Sequence, residues 1–212
     1  VWTSMYSNFD DEIGYLNAFC DRTKNYDRTS ISEILVVADE YSCHYAASSS
    51  LLGVCLGNPQ LALQQIGAPA DHILLDDLPL IDPSRYKMIV FLNCWNLTDA
   101  QRAAIDSLKN NNRMLVFCYA GGYFNGRNYS SLNMKNACGM NINVGSETKI
   151  ALRVKMKTLS PRDPLEVAIS NALGGTGITF GSTTACAKKL IAADPAGTIL
   201  GTYPGTTDTS MA

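Results

Sequence analysis

The length, charge and composition of the chain exclude several classes of protein. Its 212 residues suffice for one sizeable domain or two small ones, and 46% hydrophobic with 17% charged residues is ordinary for a globular protein. The net charge is −2, and the Lys and Arg residues are scattered, so electrostatics gives no reason to expect a nucleic acid or an anionic membrane as partner. No apolar run reaches the roughly 18 residues that a membrane span requires.

The seven cysteines favour reduced thiols over a disulfide framework. Their spacings are wide, their number is odd, and no C-x-x-C motif occurs. Cys55 and Cys118 lie inside apolar runs, where free cysteine packs as a small hydrophobic residue. The pattern favours a reducing compartment such as the cytoplasm and gives no metal-ligand spacing. Because the chain begins at Val1, we expect it to be a piece of a longer protein.

The first segment predicts one helix followed by a polar connection. Phe9, Ile13, Leu16 and Phe19 recur at helical spacing, and three acidic residues from position 10 lie where the helix dipole favours negative charge. A polar stretch over residues 21–30 separates this helix from the rest. We therefore assign residues 1–29 to a helical lead-in.

The segment from residue 30 onwards alternates buried strands with helices. Continuously apolar, β-rich runs at residues 34–38, 70–75, 88–92 and 114–118 are typical of strands covered on both faces. Such alternation predicts crossover units, and therefore a parallel sheet with helices on both faces. We assign residues 30–160 to an α/β domain of the flavodoxin-like type.

Two helices of this domain carry local signals. Residues 46–66 are apolar enough for a helix, but Gly57-Asn58-Pro59 predicts a break and a second start, with Asn58 as the cap and Pro59 at the first helical position. Thr98 and Gln101 match a capping box, which predicts the start of the next helix.

The C-terminal part predicts short strands. Residues 149–156 alternate as a half-buried strand does, and residues 178–180, 186–192 and 198–203 are further candidates. We assign residues 161–212 to a smaller, irregular, strand-rich extension of the same domain.

Polar side chains follow the predicted strands, and binding sites of open parallel sheets form at those carboxyl ends. Possible contacts to a ligand or to another subunit there are Asp39, Glu40, Asn93, Tyr119, Gly121 and Tyr123. Because Asp39 and Glu40 are adjacent, they point to opposite sides and cannot flank one glycosidic bond. A capping or solvated role is therefore favoured for them, and we expect no catalytic residue and no metal.

Cys118 is a candidate nucleophile for a thiol hydrolase of the amidotransferase-like kind. Such a thiolate needs a base, yet both histidines, His44 and His72, precede it in the chain, whereas the catalytic His of that family follows its Cys. Val116 and Ala120 occupy the positions at which a nucleophile elbow has glycine. We therefore interpret Cys118 as a buried structural residue and keep the thiol hydrolase as the alternative.

Two further patterns bear on ligands. The glycines of residues 174–177 lack the Lys-Ser/Thr of a phosphate loop, so no cofactor is expected. Tyr123, Phe124 and Tyr129 could stack on a sugar, or they could pack on one another within their loop. A carbohydrate-binding module that uses Tyr119, Tyr123, Phe124 and the Asp39-Glu40 edge is kept as another alternative.

A series of segments in fixed order carries a family likeness. They are VADEYS at 37–42, QIGAPAD at 65–71, LLDDL at 74–78, YKMIVFLN at 86–93, the helix at 98–105, LVFCYAGGY at 115–123 and NMKNACGM at 133–140. The set resembles the trimerisation domain that follows the catalytic barrel in β-galactosidases of glycoside hydrolase family forty-two. That domain has a glutamine-amidotransferase-like flavodoxin fold, and the likeness covers residues 30–145.

The resemblance implies a role without catalysis. In that family both catalytic carboxylates lie on the preceding barrel, which this chain does not contain, so residues 1–29 correspond to the exit from the barrel. The implied partners are that N-terminal barrel and further copies of the chain, in a trimer, with a carbohydrate as a possible ligand. The family has Pro in the strand-end loop where this chain has Gly121.

Overall fold

The described part of the first unit of the chain, Val1–Ile31, contains one helix. The computed structural model describes residues 9–46, 48–109, 112–157 and 179–211. Helix α1 (Asp10–Thr23) has its acidic residues in the first turn and Arg22 in the last, as the helix dipole favours. The predicted helix is confirmed, but none of its residues is buried, and Phe9, Leu16 and Phe19 keep 48–57% of their surface exposed.

The second unit, Ser32–Ala212, contains a four-stranded parallel sheet. Its strands are β1 (Ile34–Ala38), β2 (Ala70–Leu74), β3 (Met88–Phe91) and β4 (Met114–Phe117), in the spatial order β2-β1-β3-β4. Val36 of β1 pairs with His72 on one side and with Val90 on the other. The four predicted strands and the parallel α/β architecture are confirmed.

The core lies on both faces of this sheet. On one face Leu35, Ile89 and Phe91 pack with Ile105 of helix α4 (Asp99–Leu108). On the other face Val36, Val90 and Leu92 pack with Leu56 and Leu63 of the helical segment between β1 and β2. Because successive strand residues point to opposite faces, continuous apolar runs are what a sheet covered by helices on both sides requires.

The predicted break at Asn58 is wrong. A 3-10 turn (Tyr41–Tyr45) follows β1, and α2 (Ser49–Leu52) then continues through a π-helical turn (Gly53–Gly57) into α3 (Asn58–Gln65). Asn58 has helical dihedral angles, and its N–H donates to the carbonyl of Gly53, five residues back. The helix widens just before Pro59, which has no N–H to donate, so the proline is accommodated without a chain break.

The remaining helices carry the expected end signals. A second 3-10 segment (Leu75–Leu80) follows β2. Helix α4 begins with the predicted capping box, in which the Thr98 side chain accepts from the Gln101 N–H and the Gln101 side chain accepts from the Thr98 N–H. Helix α5 (Ser131–Cys138) ends at Gly139, whose φ of 79° is the left-handed conformation that glycine adopts readily.

Short antiparallel strands make up the rest of the described chain. A hairpin pairs β5 (Phe124–Asn125) with β6 (Asn128–Tyr129). Strands β7 (Ile142–Val144) and β10 (Leu190–Ala192) form a pair, and a four-stranded sheet has the order β12-β11-β8-β9. Its strands are β8 (Ile150–Met156), β9 (Thr179–Ala187), β11 (Gly201–Thr202) and β12 (Thr209–Met211).

These strands confirm the predicted β-rich C-terminal part with shifted bounds. The candidate at 186–192 is divided between the end of β9 and β10, and the one at 198–203 shortens to β11. Ile178 and the glycines of residues 174–177 lie outside the described residues.

One buried lysine ties the antiparallel strands together. Lys189 lies between β9 and β10, and its Nζ is 2.8 Å from Oε1 of Glu147 and 2.6 Å from Oδ2 of Asp208. Its ammonium group also lies 5.7 Å from the ring centroid of Tyr203. The hydrogen bonds that the Lys189 ammonium donates to both carboxylates raise the pKa of Lys189, and they lower the pKa of Glu147. Among the described residues, no helix is long and apolar enough to cross a membrane.

Candidate functional site

The carboxyl ends of β1 and β3 are joined by a side chain. Asn93 lies two residues beyond β3 and is fully buried. Its Nδ2 donates to the carbonyl of Asp39 at 2.6 Å, and its Oδ1 accepts from the Asp39 N–H at 2.9 Å. The amide therefore extends the pairing of the two strands past their backbone ladder, and both of its ends are occupied within the protein.

Asp39 shapes the turn that follows β1. Only 4% of its surface is exposed, and its carboxylate accepts from the N–H groups of Tyr41 and Ser42 at 3.1 and 2.9 Å. These bonds cap the 3-10 turn, and a capping role is one of the two that the sequence favoured for Asp39 and Glu40. Glu40 is exposed, so the two neighbouring carboxylates lie in different environments.

Ser42 is a structural residue that the sequence reasoning missed. It is fully buried, and its Oγ accepts from the N–H groups of Trp95 and Asn96 at 3.0 and 2.9 Å. The turn after β1 is thereby tied to the loop after β3. The position of Ser42, three residues after a capping aspartate, was the one signal available in the sequence.

The loop after β4 is held by an arginine. Arg102 of α4 donates from Nη2 to the carbonyls of Gly122 and Phe124 at 3.0 and 2.9 Å, and from Nη1 to that of Asn133 at 2.9 Å. Burial lowers the pKa of Arg102. Gly121 is buried, and a β-carbon there would lie 2.6 Å from Cδ1 of Phe117. The predicted contact residue Gly121 therefore lies inside this loop.

The predicted contact residue Tyr119 is engaged with the C-terminal part of the domain. Its hydroxyl donates to the carbonyl of Lys188 at 2.9 Å and accepts from the Lys188 N–H at 3.0 Å. Its ring meets Trp95 edge to face, with centroids 6.4 Å apart. Burial raises the pKa of Tyr119 above its usual value, so the phenol stays protonated.

The aromatic residues of the hairpin pack on one another. Tyr123 has ring centroids 5.1 Å from Phe124 and 5.5 Å from Tyr129. The ring of Tyr45, from the turn after β1, lies 4.8 Å from that of Phe124. The sequence left two interpretations of these rings open, sugar stacking and packing within the loop. In the structure the rings pack on one another within the loop.

The prediction that Cys118 is buried is wrong. Its residue surface is exposed, because it lies just past the end of β4, the edge strand of the sheet. The protein around the thiol nevertheless raises its pKa to about 11. In the described part of the chain, no side chain is hydrogen-bonded to its sulfur. The thiol is protonated at neutral pH, which is the opposite of what a thiol hydrolase requires.

Two buried cysteines, Cys55 and Cys94, lack nucleophile character as well. All seven cysteines are free. Burial raises the pKa of Cys55 to about 12 and raises that of Cys94 well above its ordinary value. Within residues 9–46, 48–109, 112–157 and 179–211, no group of three His, Cys, Asp or Glu side chains has the arrangement of a metal site.

An open groove of about 500 Å³ lies at this edge of the sheet. Of the predicted contact residues, only Asp39 lines it. The others that line it are Tyr41, His44, Tyr45, Asp76, Asn96, Thr98 and Gln101. They come from three strand-end segments that are distant in sequence, which is why the sequence did not single them out together.

Comparisons with known proteins give a likeness of fold. No family model and no curated protein sequence matches the chain. Its structure is similar to that of the β-galactosidase from Bacillus circulans sp. alkalophilus, with 12% identity and a TM-score of 0.56 over 85% of this chain and 26% of that one. It is also similar to Gan42B, a GH42 β-galactosidase from G. stearothermophilus, with 15% identity and a TM-score of 0.50 over 86% and 25%.

A third β-galactosidase, from Bifidobacterium adolescentis, aligns over 72% of this chain and 68% of its own at 17% identity, with a TM-score of 0.42. This chain spans about a quarter of each of the first two structures. At these identities the likeness shows a shared α/β fold.

Proposed function

We propose that this chain is a non-catalytic accessory and oligomerisation domain of a glycoside-hydrolase-like protein of the β-galactosidase type, whose catalytic barrel lies outside the chain. The observation that carries the proposal is the fold likeness to one quarter of two β-galactosidases, Gan42B and the Bacillus circulans enzyme. The ordered segments between residues 37 and 140 point to the same family.

The geometry of the strand ends supports a role without catalysis. The Asp39 carboxylate is buried and accepts from two backbone N–H groups, and the Asn93 amide is hydrogen-bonded to the backbone of Asp39. A general acid or base must instead hold its proton where a substrate can reach it. Cys118 is exposed, but its raised pKa leaves little thiolate at neutral pH.

Helix α1 supports a partner for the first unit. It is 14 residues long, a length at which an isolated helix is marginal in water, and none of its residues is buried. Phe9, Leu16 and Phe19 therefore form an exposed apolar stripe at helical spacing. We propose that the preceding catalytic barrel covers this stripe, while the second unit contacts further copies of the chain in a trimer.

Hydrolysis and assembly are tested separately. The chain alone should not hydrolyse nitrophenyl β-galactoside, whereas the intact parent should sediment as an oligomer that loses its assembly when residues 32–212 are removed. In the parent, Leu16→Glu should lower the melting temperature more than Asn17→Glu, because only Leu16 lies on the apolar stripe. The proposal would be refuted if the chain alone hydrolysed the galactoside, or if the parent kept the same number of subunits after the deletion.

A further inference from the structure

The groove at the carboxyl edge of the parallel sheet has the dimensions of a small-molecule site. Its volume of about 500 Å³ falls within the range of ligand pockets. One wall is the 3-10 turn Tyr41–Tyr45, the second is Asp76 after β2, and the third is the segment from Asn96 to Gln101 that leads into α4. The groove thus gathers residues from three strand ends.

Hydrogen bonds within the protein fix the groove walls. Nε2 of Gln101 donates to Oδ1 of Asp76 at 2.7 Å, which joins two of the walls. Oδ1 of Asn96 accepts from the Gly126 N–H at 2.9 Å, which sets the orientation of its amide. Ser42 holds the Asn96 backbone against the 3-10 turn. These polar groups are therefore positioned before any ligand arrives, which reduces the entropy that binding must overcome.

Several polar atoms on these walls stay available. In the described part of the chain, no hydrogen bond engages Nδ2 of Asn96, Oδ2 of Asp76 or the imidazole of His44. Tyr41 has 56% of its surface exposed and takes part in no ring stacking among the described residues. The groove therefore offers a donor, an acceptor, an imidazole and one open aromatic ring.

The charge of the lining selects against anions. Among the residues that the structure describes, no Lys or Arg lines the groove, while two carboxylates do, Asp39 and Asp76. Phosphates and carboxylates are bound in proteins by cationic side chains, so these ligands are disfavoured. Flat amide and carboxylate groups suit hydroxyls, each of which both donates and accepts, and the Tyr41 ring offers an apolar face to the C–H face of a sugar ring.

We propose that this groove binds a neutral pyranose sugar, with Tyr41 as the stacking platform and Asp76 and Asn96 as hydrogen-bonding partners of its hydroxyls. The proposal goes beyond the assembly role, and it does not depend on it. It also differs from the aromatic set considered in the sequence, because Tyr123, Phe124 and Tyr129 are engaged with one another.

The probe is methyl β-galactopyranoside titrated into the full chain and followed by amide chemical shifts. We expect saturable shifts at residues 41–45 and 96–101, with a dissociation constant of about 1–10 mM for an open site with few contacts. Galactose 6-phosphate should bind at least about ten-fold more weakly because of the lining carboxylates. Methyl β-glucopyranoside, run in parallel, reports whether the groove distinguishes the two sugars.

Variants separate the groove from other causes. Tyr41→Ala should weaken binding about ten-fold through loss of the stacking ring. Tyr26→Ala is the matched control, because Tyr26 is 68% exposed and lies in the first unit, and it should bind as the unchanged chain does. Melting temperatures of both variants establish that they are folded.

Three results would overturn the proposal. One is the absence of saturable shifts up to about 50 mM sugar, a concentration well above the expected dissociation constant. Another is equal or tighter binding of the phosphorylated sugar. The third is dissociation of the parent oligomer by Tyr41→Ala, which would make the groove a subunit interface; unchanged sedimentation with lost sugar binding supports the site. Failure of assembly in the parent leaves the sugar titration of the chain unaffected, so the two proposals fail independently.

Discussion

Replacement of Asn93 by Ala should destabilise the second unit strongly. The amide occupies the N–H and the carbonyl of Asp39 at 2.9 and 2.6 Å, in a site where Asn93 has no exposed surface and Asp39 has 4%. Alanine leaves the Asp39 N–H buried without a partner and leaves the Asp39 carbonyl only the weak thiol donor of Cys43, whose sulfur is 3.7 Å away. Since each unsatisfied buried group costs about 1–3 kcal/mol, the expected loss is about 2–6 kcal/mol. That is a large share of the about 5–15 kcal/mol by which domains are stable.

Urea unfolding followed by circular dichroism measures this loss. The matched control is Asn125→Ala: Asn125 is exposed, and its Nδ2 makes a 3.3 Å hydrogen bond to Asp99, so its removal should change stability by less than about 0.5 kcal/mol. If Asn93→Ala loses less than about 1 kcal/mol, or no more than the control, the reasoning that the Asn93 side chain holds the strand ends together is wrong.

Three other measurements test separate parts of the structure. Gly122→Ala should lower the free energy of unfolding in urea by about 1–3 kcal/mol more than Gly126→Ala does. Both glycines have positive φ, but only at Gly122 would the new β-carbon lie 2.5 Å from another side chain. Equal losses of unfolding free energy would contradict this. Because folding lowers the pKa of Glu147 and raises that of Lys189, their pairing stabilises the protein fully between about pH 5 and pH 10. The loss of melting temperature in Glu147→Gln should therefore shrink as the pH falls below about 4. A loss that stays constant with pH would contradict this. With a pKa of about 11, Cys118 should react with iodoacetamide about 100-fold more slowly at pH 7 than an unperturbed thiol. Peptide mass mapping measures this rate, and a rate equal to that of a free thiol would refute the raised pKa.

The strands of the parallel sheet were predictable because their cause is local. Residues 34–38 and 88–92 are continuous apolar runs, and only a sheet covered on both faces buries such runs completely. The start of α4 was predictable for the same reason, since Thr98 and Gln101 satisfy each other's backbone within a single turn.

The continuous helix between β1 and β2 could not be predicted from local signals. Asn58 and Pro59 favour a break, but Leu56 and Leu63, on either side of it, both pack on the same face of the sheet. Partial burial of both leucines against β1 and β3 keeps the segment helical, and the π turn accommodates the proline. Tertiary packing here overrides a correct reading of local preference.

The groove could not be predicted from the sequence, because its residues come together only in the folded sheet. His44 and Asp76 are 32 positions apart, and only the parallel register of β1 with β2 brings their strand ends to one edge. Exposure of Cys118 depends likewise on β4 being an edge strand, which the strand order decides and the apolar run alone does not.

The polar residues at the strand ends have two different roles, so effects on stability and effects on sugar binding can be measured separately. Asp39, Ser42 and Asn93 are buried and hydrogen-bonded to the backbone, so their replacement should lower stability whatever the ligand. Tyr41 and Asp76 are exposed on the groove, so their replacement should leave stability unchanged within about 0.5 kcal/mol and alter binding alone. Since the buried set positions the exposed set, a partly destabilised Asn93 variant should also bind sugar more weakly, whereas replacement of Tyr41 or Asp76 should not unfold the domain.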